Sequence, residues 1–180
     1  ISNFMTAVID KRSFDNIKGY IDRANARDSC DILIGGGCDD SVGYFVEPTI
    51  IRTTDPKAEC LVEEIFGPVL TVYIYPDDEF EEALEMCDSA SDYALTGSIF
   101  SSSEENIALA SKKLRFTAGN FYINDKPTGS VVGQQPFGGA RASGTNDKAG
   151  SPLNLLRWLS PRTIKRTDSA PTEWKYPFMG

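Results

Sequence analysis

Three apolar segments in the middle of the chain alternate with two amphipathic helices, and this alternation constrains the fold most strongly. The first segment, 69–75, is continuous, apolar and rich in β-branched and aromatic residues, as is typical of a strand covered on both faces. Helices predicted over 80–87 and 103–114 alternate with strands over 95–100 and 119–124. Strands joined by single helices imply right-handed crossovers, so we predict an α/β fold with an open, mostly parallel sheet. Ligands are then expected outside the carboxyl ends of the strands.

An amphipathic helix is predicted near the start of the chain. Phe14, Ile17 and Ile21 recur at spacings of three and four residues, which places them on one face of a helix. Ser13 is a residue type that commonly caps the start of a helix. Together these signals predict a capped helix over 13–26.

Two features that could be taken for ligand sites are better explained as local structure. The glycine triplet 35–37 lies between the apolar runs 31–34 and 44–51, and it leads into a strand, whereas a phosphate-binding loop opens a helix. We therefore expect a turn between strands. The acidic residues of 77–82 fall at the start of a predicted helix, where the dipole favours negative charge, so capping and solvation explain them better than a metal site.

Composition excludes several functional classes. The 180 residues include no histidine, so they cannot supply a Ser-His-Asp triad, a Cys-His pair or a His-ligated zinc. A net charge of −8 does not provide the basic surface that nucleic acid requires, and no apolar run reaches the roughly 18 residues of a membrane span. We expect neither nucleic acid nor a membrane as a partner, and no metal. The cysteines lack zinc or disulfide spacing and are interpreted as reduced thiols: Cys30, Cys38, Cys60 and Cys87.

The segment 63–68, just before the strongest predicted strand, has the composition of a binding site. Glu64 could accept hydrogen bonds from a vicinal diol while Phe66 lies against a planar ring. The Gly-Pro corner that follows would fix the direction of the chain. Such a pair suits a nucleoside. From the residues alone, the alternative is a surface carboxylate beside a core phenylalanine.

The same segment resembles a signature of the aldehyde dehydrogenase superfamily, Glu-Glu-Ile-Phe-Gly-Pro-Val at 63–69. The resemblance implies that NAD is the cofactor, that Glu64 holds the nicotinamide ribose hydroxyls and that Phe66 contacts the nicotinamide. Further segments resemble one branch of the superfamily, which oxidises glutamate-γ-semialdehyde: 120–124, 128–139 and 142–145. The likeness runs over essentially the whole chain.

The region 126–150 is rich in glycine and long for a loop inside a compact domain, which indicates a function. By resemblance it contains the aldehyde anchor loop, in which Gly129 and Ser130 offer backbone N–H groups and a hydroxyl to the α-carboxylate of the substrate. Phe137 would pack against the methylene stem of the same substrate. Without the resemblance, an ordinary turn is the simpler interpretation of Gly129 and Ser130.

The chain departs from the complete pattern of the family. None of its cysteines follows the Gly-Gln-x-Cys run of the family nucleophile, and the segments of the general-base glutamate and the pyrophosphate site do not occur in it. We therefore expect 1–159 to be the C-terminal portion of the catalytic domain, followed by an oligomerisation strand and tail at 160–180. Alone, the chain should show no turnover and should expose an apolar face that favours association.

The basic segment 161–167 is predicted to be a polar edge strand. The resemblance implies that it joins the sheet of a second copy in a homodimer, whereas the alternative is a charged, protective edge. A location in the mitochondrial matrix is implied in the same way. Another class of function stays open, in which the chain is a non-catalytic truncated isoform or a dimerising subunit. The intact mass of the natural protein would separate these alternatives.

Overall fold

The computed structural model describes residues 4–127, 130–131, 133–170 and 172–180. Within them the helices span Lys11–Asn25 (α1), Glu59–Val62 (α2), Phe80–Ser89 (α3), Glu104–Lys113 (α4) and Pro152–Leu155 (α5). The strands span Cys30–Ile34 (β1), Cys38–Asp39 (β2), Phe45–Val46 (β3), Thr49–Thr53 (β4), Val69–Tyr73 (β5), Tyr93–Ala94 (β6), Thr96–Ile99 (β7), Asn120–Ile123 (β8) and Ala140–Arg141 (β9). None of the helices in these ranges is long and apolar enough to cross a membrane.

Helix α1 carries the predicted apolar stripe but begins earlier than expected. Its N-cap is Asp10 rather than Ser13, because the Asp10 carboxylate accepts a hydrogen bond from the Ser13 backbone N–H at 2.7 Å. The helix therefore starts at Lys11. The side chains of the predicted stripe are buried: Phe14, Ile17 and Ile21.

The first sheet has the order β1-β4-β5 and mixes both strand directions. β1 and β4 are antiparallel, with Ile32 opposite Ile51, whereas β4 and β5 are parallel, with Ile51 opposite Thr71. The apolar run 44–51, expected to form one strand, is broken at Pro48 because proline has no N–H to donate to a ladder. Its first part, β3, pairs with β2 in a separate antiparallel ladder.

A second parallel pair, β7 and β8, is connected through α4. Gly97 lies opposite Phe121, and Ser103 caps α4 by accepting a hydrogen bond from the Asn106 backbone N–H at 3.3 Å. The two parallel pairs and their helices confirm the α/β fold class. Among the described residues, β5 and β7 belong to different ladders, so α3 does not join neighbouring strands as the alternation suggested.

Buried side chains form two groups. The larger group lies between α1 and the first sheet and includes Ile17 and Ile51, neither of which has any exposed surface. The smaller group consists of Leu84 from α3 with Ala110 and Leu114 at the end of α4. Each parallel pair of strands therefore has its own apolar support.

The strand predicted over 161–167 is not formed. This segment is exposed throughout and belongs to no ladder. The physical reason is that a strand is stable only when a neighbouring strand or a core takes up its hydrogen bonds and one of its faces, and nothing in the described chain offers either to this segment.

Candidate functional site

Glu64 and Phe66 lie in the irregular segment between α2 and β5, and both side chains are exposed. Between them, Ile65 is buried in the larger core group. Gly67 approaches α1 so closely that a Cβ atom there would lie 2.6 Å from Ile17 Cδ1. The segment is thus anchored at Ile65 and Gly67, and it presents Glu64 and Phe66 to solvent.

The backbone of Phe66 is strained. Its φ of +58° lies in the left-handed region, which costs a residue with a side chain about 1–2 kcal/mol. The ring is 85% exposed, so packing does not offset this cost. Strain of this kind concentrates at functional sites. Within the described residues Phe66 belongs to neither group of buried side chains, and its binding role stays a prediction.

The Glu64 carboxylate is available to a ligand. No other described residue forms a hydrogen bond or an ion pair with it, so both of its oxygens can accept hydrogen bonds. A vicinal diol offers two hydroxyl donors to such a group, and the exposed Phe66 ring offers a flat apolar face nearby. A nucleoside site at these two residues stays a prediction.

The chain reverses direction directly after β8. Asn124 has a φ of +54°, and its carboxamide forms two 2.9 Å hydrogen bonds with the backbone of the turn between β7 and α4. Ser98 Oγ donates to the carbonyl of Asp125, and Thr96 Oγ1 donates to that of Pro127 at 3.3 Å. As the residue number increases from Asn124 to Pro127, the number of the partner residue decreases from Ser101 to Thr96. The segment that leaves β8 therefore runs antiparallel to β7.

Phe137 lies where the glycine-rich loop returns to the start of β8. Asn120, the first residue of β8, donates from Nδ2 to the Pro136 carbonyl at 2.9 Å and accepts at Oδ1 from the Gly138 N–H at 3.1 Å. Phe137 and Ala149 exchange backbone hydrogen bonds of 2.9 and 2.8 Å. The role of Asn120 was not predicted from the sequence, where its only signal is a polar residue at the first position of an apolar strand.

The position of the candidate residues relative to the strands differs from the expectation. Ligands were expected at the carboxyl ends, yet Glu64 and Phe66 precede β5, and Phe137 is held at the amino-terminal end of β8. The loop that follows β8 leaves its carboxyl end but turns back along β7. These candidate residues therefore do not lie at the carboxyl ends of the strands, where ligands of a parallel sheet are expected to bind.

One cavity, of about 330 Å³, is lined by Glu63 of the segment 63–68 and by Ala142 of the region 126–150. Neither this cavity nor those of about 570, 420 and 380 Å³ is lined by Glu64, Phe66, Ser130 or Phe137. Ser130 and Phe137 are half-buried, and Gly129 lies outside the described residues. A site shared by Glu64 and Ser130 stays a prediction.

The cysteines do not have the character of an activated nucleophile. Burial raises the pKa of Cys38, Cys60 and Cys87 above the usual value for a thiol. A nucleophilic cysteine instead needs a lowered pKa, because the thiolate is the reactive form. Cys38 is half-buried and Cys60 is buried, so both suit small apolar packing roles, whereas Cys87 is exposed.

Comparisons with known proteins agree with the sequence pattern. The model of the aldehyde dehydrogenase family matches residues 2–164. The mitochondrial delta-1-pyrroline-5-carboxylate dehydrogenase of Dictyostelium discoideum is 62% identical over 99% of this chain and 32% of that protein. The human mitochondrial delta-1-pyrroline-5-carboxylate dehydrogenase is 56% identical over 98% of this chain and 31% of that protein.

Solved structures show the same likeness. The delta-pyrroline-5-carboxylate dehydrogenase of Mycobacterium tuberculosis matches with 52% identity and a TM-score of 0.82, over 99% of this chain and 33% of that chain. A structure of the same enzyme bound with NAD matches with 51% identity and a TM-score of 0.80, over 99% of this chain and 32% of that chain. This chain spans about a third of the length of the relatives it matches. It belongs to the aldehyde dehydrogenase family.

Proposed function

We propose that this chain is part of an NAD-dependent delta-1-pyrroline-5-carboxylate dehydrogenase, which oxidises glutamate-γ-semialdehyde to glutamate in proline catabolism. Relatives at 62% and 56% identity carry that name, and a structural relative at 51% identity binds NAD. The observation that carries the proposal is the geometry of the segment 63–68: the Glu64 carboxylate has no partner among the described residues, and the exposed Phe66 ring stands on a left-handed backbone.

In this proposal Glu64 and Phe66 hold the nicotinamide end of the cofactor. When bound, NAD accepts the hydride that the aldehyde loses. Glu64 accepts hydrogen bonds from the ribose hydroxyls, and Phe66 lies against the nicotinamide. Because Ile65 and Gly67 anchor the backbone on the core, both groups are held in place before the cofactor arrives, which lowers the entropic cost of binding.

Gly129, Ser130 and Phe137 hold the substrate in this proposal. Gly129 and Ser130 bind the α-carboxylate, and Phe137 contacts the methylene stem. The direction of the chain supports a common site, because Pro127 lies beside Thr96 at the amino-terminal end of the β7-β8 pair. Phe137 is fixed at that same end through Asn120.

The remaining parts of the reaction require residues outside this chain. A nucleophilic cysteine and a general-base glutamate would come from another part of the complete polypeptide, since none of the four cysteines here follows the Gly-Gln-x-Cys run of the family nucleophile. We also propose that the exposed segment 161–167 pairs with the sheet of a second copy in a homodimer. A location in the mitochondrial matrix is proposed because the relatives are named as mitochondrial enzymes.

The proposal is tested on the complete polypeptide that carries this sequence. With NAD and glutamate-γ-semialdehyde it should form NADH, which is followed by absorbance, whereas residues 1–180 alone should form none. Glu64→Gln should raise the KM for NAD because it replaces one of the two acceptor oxygens. Glu63→Gln is the matched control, since Glu63 is also exposed and should leave that KM unchanged. NADH formation by residues 1–180 alone, or none by the complete polypeptide, would refute the proposal.

A further inference from the structure

The backbone around Phe137 is fixed more completely than a surface loop requires. Asn120 binds the carbonyl of Pro136 and the N–H of Gly138, and Ala149 binds both backbone groups of Phe137. Lys148 Nζ donates to the remaining group, the carbonyl of Gly138, at 3.3 Å. Every backbone hydrogen-bonding group of the segment 136–138 therefore has a partner. A loop held in this way cannot change conformation without breaking several hydrogen bonds together.

Two of these partners, Asn120 and Lys148, are polar side chains whose burial costs free energy. Asn120 is only 9% exposed, so its carboxamide must be satisfied by the loop to be tolerated there. Lys148 is half-buried, and no carboxylate in the described ranges pairs with its ammonium. Instead Lys148 Nζ donates to the carbonyls of Gly119 and Gly138, and burial lowers its pKa. Polar groups of this kind destabilise a protein unless their partners compensate.

The two backbones come closest at Gly119, where no residue larger than glycine fits. A Cβ atom at Gly119 would overlap the carbonyl of Gly138, and a Cβ atom at Gly138 would lie 3.1 Å from the backbone nitrogen of Lys148. The start of β8 and the Phe137 loop are therefore in direct backbone contact. In this arrangement a small change at Asn120 or Lys148 must displace Phe137.

We propose that Asn120 and Lys148 are positioning residues for oxidation of the aldehyde. Together they form a clamp, the Asn120 carboxamide and the Lys148 ammonium, that fixes the backbone on both sides of Phe137 and so orients its ring toward the methylene stem of the substrate. Neither side chain touches the substrate. The inference rests on the proposed function in assigning that stem to Phe137, but the fixing of the backbone can be measured separately.

The test uses Asn120→Ala, Lys148→Met and Lys148→Arg in the complete polypeptide. The first two should raise the KM for glutamate-γ-semialdehyde about tenfold and leave kcat within about twofold. The KM for acetaldehyde, which keeps only one carbon of the two-carbon stem and lacks the carboxylate, should change by less than about twofold. Lys148→Arg keeps hydrogen-bond donors at this position, so its KM for glutamate-γ-semialdehyde should stay close to the wild-type value.

The matched control is Thr53→Val, which removes another buried polar side chain. Thr53 is the last residue of β4, and its Oγ1 donates to the carbonyl of Asp55 at 3.3 Å and accepts from the N–H of Asp55 at 3.1 Å, so it binds no group of the segment 136–138. This variant should lower Tm without changing the ratio of the two KM values. Amide hydrogen exchange at Phe137 and Gly138 should accelerate in Asn120→Ala and Lys148→Met, and it should stay at the wild-type rate in Thr53→Val.

Equal rises in KM for both aldehydes, a shifted KM ratio in Thr53→Val, or unaltered exchange at Phe137 and Gly138 would each overturn the inference. If Asn120→Ala does not fold, Lys148→Met decides the same question. A wild-type polypeptide that oxidises acetaldehyde but not glutamate-γ-semialdehyde would refute the proposed function. The exchange rates would then still decide whether the clamp fixes Phe137.

Discussion

Substitution of Phe66 should reverse the usual stability order of alanine and glycine. At a φ of +58°, a residue with a side chain loses about 1–2 kcal/mol of stability, whereas glycine adopts this conformation without strain. Glycine instead loses about 0.5–1 kcal/mol of stability relative to alanine, because its unfolded state has more conformational entropy. The difference leaves Phe66→Gly more stable than Phe66→Ala by up to about 1.5 kcal/mol. Both variants lose the ring equally, and the ring is so exposed that its removal changes little burial.

The comparison requires a phenylalanine at an ordinary φ. Phe100 is 70% exposed and does not have a positive φ, so Phe100→Gly should be less stable than Phe100→Ala by about 0.5–1 kcal/mol. Urea unfolding of the complete polypeptide measures both pairs. The KM for NAD should rise in both Phe66 variants, because each removes the ring proposed to contact the nicotinamide. If Phe66→Ala is the more stable of its pair, the backbone at this position is not strained; an unchanged KM would refute contact with the cofactor.

Three other predictions concern the anchor loop, one ion pair and the chain alone. Ser130→Ala should raise the KM for glutamate-γ-semialdehyde more than that for propanal, and equal effects would contradict an anchoring role. The Arg23 guanidinium, 2.9 Å from Glu59, holds the pKa of that carboxyl below its usual value, so the pair stabilises the fold above the unfolded pKa and loses this effect as pH falls. Arg23→Met should therefore lower Tm near neutral pH, and this difference should disappear as pH falls through the lowered pKa of Glu59, whereas Arg12→Met should show no such pH dependence. Residues 1–180 alone should form concentration-dependent oligomers in sedimentation velocity, and a monomer at all concentrations would contradict this.

Much of the fold follows from short-range patterns. The stripe of α1, the Ser103 cap of α4 and the β-branched run of β5 each depend on residues a few positions apart, and all three are present. The start of α1 was predicted wrongly because Asp10 and Ser13 are both good caps. A tertiary contact distinguishes them, since the Val8 N–H donates to the carbonyl of Tyr44 at 2.9 Å and fixes the chain just before Asp10.

The sequence suggests residue types for the candidate site but not its geometry. A carboxylate and an aromatic ring two positions apart suit a nucleoside, but only the family resemblance favours that interpretation over a surface carboxylate beside a core phenylalanine. The nucleoside site at Glu64 and Phe66 stays a prediction. The left-handed backbone of Phe66 could not be foreseen, because it depends on the burial of Ile65 and on the contact of Gly67 with α1. Asn120 and Lys148 were missed for a similar reason, since their hydrogen bonds join residues far apart in the sequence.

The sequence around β5 predicts a buried strand, but the structure of this chain leaves part of the strand exposed. The run 69–75 has the composition of a strand covered on both faces, yet Leu70 and Ile74 are largely exposed. Full burial of such a side chain contributes about 1.5–3 kcal/mol, so covering these two would stabilise the fold by a few kcal/mol. A covering segment from the complete polypeptide would supply that stabilisation, and the unpaired segment 161–167 equally needs a neighbouring strand. The complete polypeptide should therefore unfold at a higher Tm than residues 1–180, and equal Tm values would show that β5 gains no cover outside this chain.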